Sequence, residues 1–200
     1  MNIFTHVTLA TKFKLILEER LDIKIKPVSF VYGNIKPDIK SRTTMKNHVN
    51  EHCPKHIDNL IKKIYADISE GISYSKFLVD LGCIFHFICD YFCLPHNSYY
   101  EGTRSEHHIY EHNQMVYVLR NINSLIEEID FSIDEEYNLP KDLINAIEVI
   151  HQQYVKDEKE YDNYEKDVIY AFSTCIMVGT SIMKTYTKKY RKPNFALNNI

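Results

Sequence analysis

The stretch His86-Phe87-Ile88-Cys89-Asp90-Tyr91-Phe92-Cys93-Leu94-Pro95-His96 sets two histidines and a carboxylate in the most apolar segment of the first half of the chain. On a helix, His86 and Asp90 stand one turn apart on a single face, so both reach one cation. Pro95 biases the chain out of the helix, which lets His96 swing back over the helix end. A buried carboxylate without a partner is costly, and two imidazoles add to that cost. A divalent cation such as zinc satisfies all three.

Working outward, the apolar pattern is helical almost throughout. Helices are predicted over about 4–20, where Val7, Ala10, Phe13 and Leu17 recur at helical spacing, and from Pro54 to about 69, before a turn at 71–73. Further helices are predicted over about 75–94, 104–128, 140–156 and 160–186. Residues 23–39 hold Pro27, Gly33 and Pro37 and read as an extended connection, with Asp38 and the residues towards His48 on that loop or just beyond it. No segment alternates long enough to demand a sheet. The expectation is an all-α, single-domain bundle of six or seven helices over 1–192, with 193–200 as a C-terminal tail.

Composition agrees with this. A chain of 200 residues suits one domain, and 44% hydrophobic with 26% charged residues is the balance of a globular protein. The net charge of −3 leaves no general basic footprint for wrapping nucleic acid. Five cysteines, three of them in one apolar helix, read as reduced, buried thiols. The N-terminal residues lack the basic and apolar regions of a signal peptide, so the expected location is cytoplasmic. Residues 168–183 carry no charge, yet they fall short of the roughly 20 that a spanning helix needs. A buried central helix, with no transmembrane segment, is expected.

Nine of the ten histidines lie between residues 6 and 112. The second cluster is Glu106-His107-His108-Ile109-Tyr110-Glu111-His112, in which His107 and Glu111 repeat the one-turn spacing of His86 and Asp90. Adjacent helical positions differ by about 100°, so one of His107 and His108 faces inward. The pairing with Glu111 favours His107, while His112 and His151 read as solvated. Asp38 follows a rigid proline, with His48, His52 and His56 after it, and spacing alone leaves His48 and His52 open. Cys89 is rotated off the face shared by His86 and Asp90. Ligation by nitrogen and oxygen alone suits hydrolytic zinc, which lowers the pKa of bound water to about 7.

Taken in order, Thr5-His6, Gly33-Asn34-Ile35-Lys36-Pro37-Asp38, His86-x3-Asp90-x5-His96 and His107-x3-Glu111 resemble the zinc-dependent phospholipases C of bacteria. Those enzymes share an all-helical fold with fungal single-strand-specific zinc nucleases. The resemblance implies up to three zinc ions. Asp38, a histidine from the following segment, His86 and Asp90 would hold one. His96, His107 and Glu111 would hold a second. His6, the other oxygen of Asp90, and the amino and carbonyl groups of the first residue would hold a third. For the histidine after Asp38 the resemblance favours His48, with His52 as the alternate.

Secreted members of that family begin with a mature tryptophan, whereas this chain has no Trp and offers the backbone atoms of Met1. The implied activity is attack by a zinc-activated hydroxide on the head-group phosphodiester of a phospholipid; Asp38 is assigned as ligand and candidate base from its expected place on the exposed loop. Peripheral membrane contact through the helical domain itself is expected, since the lipid-binding β-sandwich of the larger members has no counterpart here. Tyr91, Phe92, Tyr99 and Tyr100 are candidates either for the substrate or for the core. The basic run Lys188-Lys189-Tyr190-Arg191-Lys192 suits an anionic lipid, nucleic acid or a helix C-terminus. Two alternatives stand beside the phospholipase: a nuclease or nucleotidase with the same cluster, for which nucleic acid is only the substrate, and a noncatalytic metal-binding protein.

Overall fold

α4 (Tyr74–Tyr91) is the central element. Its residues from Leu81 to Tyr91 are buried almost all round, with only Phe87 partly exposed. A helix that is apolar on every side needs neighbours on every side. α1 (Ile3–Leu21), α2 (Pro27–Thr44), α3 (Cys53–Glu70) and α7 (Asn163–Tyr190) supply them, and α5 (Arg104–Glu128) and α6 (Pro140–Lys156) close the bundle against α1, α3 and α7. The structure, a computed structural model, describes residues 1–44, 53–129, 137–157 and 163–190, with the backbone alone for 40–44. Among the described residues there are seven α-helices and no strand.

Local sequence explains the helix starts. The Asn2 side chain caps α1 by accepting from the Thr5 N–H, and Ser73 caps α4 by accepting from the Lys76 N–H. Thr103 and Glu106 form a reciprocal capping box at the start of α5, and Pro140 occupies the first turn of α6. Phe13 of α1 packs edge-on to Phe85 of α4 at 5.0 Å and lies 4.5 Å from Phe172 of α7. These rings centre the core between three helices.

Residues 23–39 are not an extended connection. α2 starts at Pro27, where a missing N–H costs nothing, and it runs through Gly33 and Pro37 to Thr44. Its inward face is Phe30, Gly33, Asn34 and Pro37, all buried. Packing against α4 overrides the breaker reading, because a Cβ on Gly33 would lie 2.9 Å from the Cα of Gly82. Asp38 therefore sits on a helix and not on a loop. α7 is the one described helix long and apolar enough to cross a membrane. Its Ala171, Phe172, Cys175, Val178 and Ile182 are buried in the core, the pattern of a central helix. All five cysteines are buried free thiols.

Candidate metal centre

The C-terminal end of α4 points His86 and Asp90 to one side. The helix stops at Tyr91, and a short 3-10 turn, Leu94–His96, with Pro95 inside it, brings His96 back to 3.7 Å between its Nδ1 and Oδ2 of Asp90. α1 contributes His6 from its first turn, Met1 lies just before the Asn2 cap of that helix, and α2 contributes Asp38. The capping box fixes where α5 begins, so His107 and Glu111 lie in its first two turns facing His96.

Two donor groups result. His6, Asp38 and His86 bring ligand atoms within 4.8 Å of one another, and so do His96, His107 and Glu111. Asp90 stands between them: its Oδ1 is 3.3 Å from His6 Nε2, and its Oδ2 is 3.3 Å from His86 Nε2. His6 and His86 stack at 4.1 Å. His86 Nδ1 is 2.8 Å from the Asn34 carbonyl, which leaves Nε2 turned to Asp90 and Asp38. In the second group Glu111 Oε1 is 2.9 Å from His96 Nε2 and 3.2 Å from His107 Nε2.

Two observations show that these residues fit a bound cation. His6 is fully buried with neither ring nitrogen in an aligned hydrogen bond, and the buried Nδ1 of His96 has no hydrogen-bond partner. Buried polar atoms are nearly always paired, so these nitrogens are shaped for something else. The α-ammonium of Met1 lies 2.6 Å from Asp90 Oδ1, 3.1 Å from Glu111 Oε1 and 3.0 Å from His96 Nε2. Positive charge thus already sits among the carboxylates, as a metal ion's would.

The electrostatics agree for Asp90, Glu111, His86 and His96 and run the other way for His6 and Asp38. Burial works against the Asp90 anion, but the Met1 ammonium with His96 and His86 holds its pKa well below the usual range. Glu111 is lowered in the same way, its burial outweighed by the Met1 ammonium, His107 and His96. Burial depresses His86 strongly, helped by the charge of His6, and depresses His96, helped by the Met1 ammonium. Ionised carboxylates and neutral imidazoles are the ligand forms of these side chains. His6 is pushed up to about 9, because Asp90 and the Cys89 thiol outweigh its burial. Burial also raises Asp38.

The second group opens on a cleft that Asp38 of the first group also lines, together with Met1, Asn2, Asp90, His108 and His112, while His6 and His86 lie buried behind it. His108 and His112 are exposed on its outer wall. His48 and its alternate His52 lie outside the described residues, as do Arg191 and Lys192. His56 is exposed on α3 and stacks at 5.1 Å on Phe87. His151 is not simply solvated: it stacks at 3.6 Å on Tyr91, and its Nε2 is 2.9 Å from Asn97 Oδ1, which fastens α6 to the loop that carries His96. Phe92 and Tyr91 are core, while Tyr99 is exposed. Sequence reading missed Asp167 of α7, a buried carboxylate beside the second group.

The relationship to known proteins follows the same residues. No curated protein and no solved structure matches the chain. A family model described as zinc dependent phospholipase C matches residues 5–161, a span that contains His6, Asp38, His86, Asp90, His96, His107 and Glu111. The chain therefore belongs to the zinc-dependent phospholipase C family.

Proposed function

We propose that the protein is a zinc-dependent phosphodiester hydrolase that cleaves the head-group phosphodiester of a phospholipid, holding up to three zinc ions. The observation that carries this reading is Asp90, placed between two groups of nitrogen and oxygen donors that both contribute to the lining of one cleft. His86, Asp38 and Asp90, with His48 to complete them, would hold one ion. His96, His107 and Glu111 would hold another, and Met1, His6 and Asp90 a third.

When bound, zinc would lower the pKa of its water to about 7 and offset charge on the phosphoryl oxygens. Asp38 is the candidate base. It stands in the cleft wall, where the attacking water and the scissile phosphodiester would meet it. It would take one proton from the attacking water as the new P–O bond forms, and return it to the glycerol oxygen as the old bond breaks. His86 is buried behind the cleft, Asp90 and His96 line it, and all three would serve as ligands. Contact with a lipid surface would be peripheral, through the helical domain.

The test is a substrate panel for the zinc-loaded protein: phosphatidylcholine vesicles, single-stranded DNA and a nucleoside monophosphate. Release of phosphocholine well above the other products is expected. Cleavage of DNA with no lipid turnover would replace this reading by the nuclease. Zinc binding with no turnover at all would leave a noncatalytic metal-binding protein.

A further inference from the structure

Asp167 of α7 is 1% exposed, and its carboxylate accepts four hydrogen bonds. The Leu94 N–H, the Tyr110 hydroxyl and Gln114 Nε2 donate to Oδ2 at 3.0, 2.9 and 2.8 Å, and the Tyr154 hydroxyl donates to Oδ1 at 2.7 Å. Leu94 opens the short turn that ends in His96. Tyr110 directly precedes Glu111 on α5, and Gln114 lies one turn beyond Tyr110 on the same face. Gln114 also accepts from the Cys93 thiol, which ties it again to the approach to His96. One carboxylate thus joins the turn that presents His96 to the helix that presents His107 and Glu111.

A carboxylate is an expensive filler for a core, where an apolar side chain of equal volume would do as well or better. What it supplies here is direction, since each donor is held by an aligned bond and three of the four come from segments flanking the second donor group. Asp167 also lies outside the residues matched by the family model. We infer that Asp167 is a positioning residue for the His96, His107 and Glu111 group, setting the separation of its ligands without touching metal or substrate. The inference rests on that group being a zinc site, and the experiment separates the two.

Zinc is titrated into the chelator-stripped full chain against a chromophoric chelator, for wild type, Asp167→Asn, His107→Ala and the double variant, with thermal unfolding of each zinc-free protein alongside. His107→Ala is expected to lose one zinc. Asp167→Asn is expected to weaken that same zinc about tenfold, to leave the others unchanged, and to add nothing in the His107→Ala background. If His107→Ala binds zinc as wild type does, the zinc reading of the group falls, and the inference with it. If His107→Ala loses a zinc but Asp167→Asn keeps full affinity, or weakens the remaining sites in the double variant, only the positioning role is overturned. Should Asp167→Asn fail to fold, Tyr110→Phe keeps the carboxylate and removes one donor. Several-fold weaker binding at that site with little change in Tm is expected, and unchanged binding overturns the role.

Discussion

Gly33 of α2 and Gly82 of α4 meet back to back: a Cβ on Gly82 would lie 2.8 Å from the Cα of Gly33 and 2.5 Å from the carbonyl oxygen of Phe30. The crossing stands about one turn before Asp38 on one helix and before His86 on the other, so it sets how closely those two side chains approach. Gly82→Ala must push the helices apart. It should lower stability by about 1–3 kcal/mol, the usual cost of overpacking. Zinc binding that involves Asp38 should weaken more than binding at His96, His107 and Glu111, as competition with a chelator would read. Equal weakening at both groups would separate the crossing from the site.

Asp90 faces the buried Met1 ammonium at 2.6 Å. Asp90→Asn removes the nearer of the ammonium's two carboxylate partners and leaves Glu111 at 3.1 Å. The loss should therefore approach, from below, the cost of a fully orphaned buried charge, about 3–5 kcal/mol in other proteins. Denaturant unfolding of the zinc-free variant should report a loss of this order, and zinc uptake should fall at both groups. A variant as stable as wild type would show that the pair is not formed in solution.

Zinc held by Met1 and His6 as proposed would displace a proton from each, since Asp90 favours the charged form of both at neutral pH. Calorimetric titration at pH 7 in buffers of different ionisation enthalpy should show release of about two protons. The sign follows from the raised pKa values: affinity is weaker at pH 6 than at pH 8, and the share of His6 disappears as the pH passes about 9. Binding without proton release would mean that neither group meets the metal.

Residues added before Met1 would convert its ammonium to an amide beside Asp90, Glu111 and His96. Metal analysis should then find about one zinc fewer than in a protein that starts at Met1. Three tightly held ions in the extended protein would remove Met1 from the site.

The parts of the fold that declare themselves locally were legible in the sequence. α5 and α6 span the predicted residues, because a capping box opens one and a proline at the first position opens the other. The one-turn spacings of His86 with Asp90 and of His107 with Glu111 also survive folding, since a helix converts spacing directly into a shared face. Residues 23–39 misled because Pro27, Gly33 and Pro37 signal breaks to a local reading. Here one sits where a helix begins, and another is required by the contact with α4. Asp167 left no local trace. Its donor Leu94 is 73 residues away in sequence, and Tyr110 is 57 away, so only the fold assembles them. His151 was misread for the same reason, as its partners Tyr91 and Asn97 are 60 and 54 residues away in sequence.

The most direct measurement is the zinc content and phosphodiesterase activity of the chelator-stripped protein before and after zinc is returned. The account predicts that stripping abolishes hydrolysis of phosphatidylcholine, that activity returns in step with zinc uptake, and that Asp90→Asn recovers neither full zinc nor activity. A protein that takes up no zinc, or that fills with zinc and hydrolyses no phosphodiester, would contradict it.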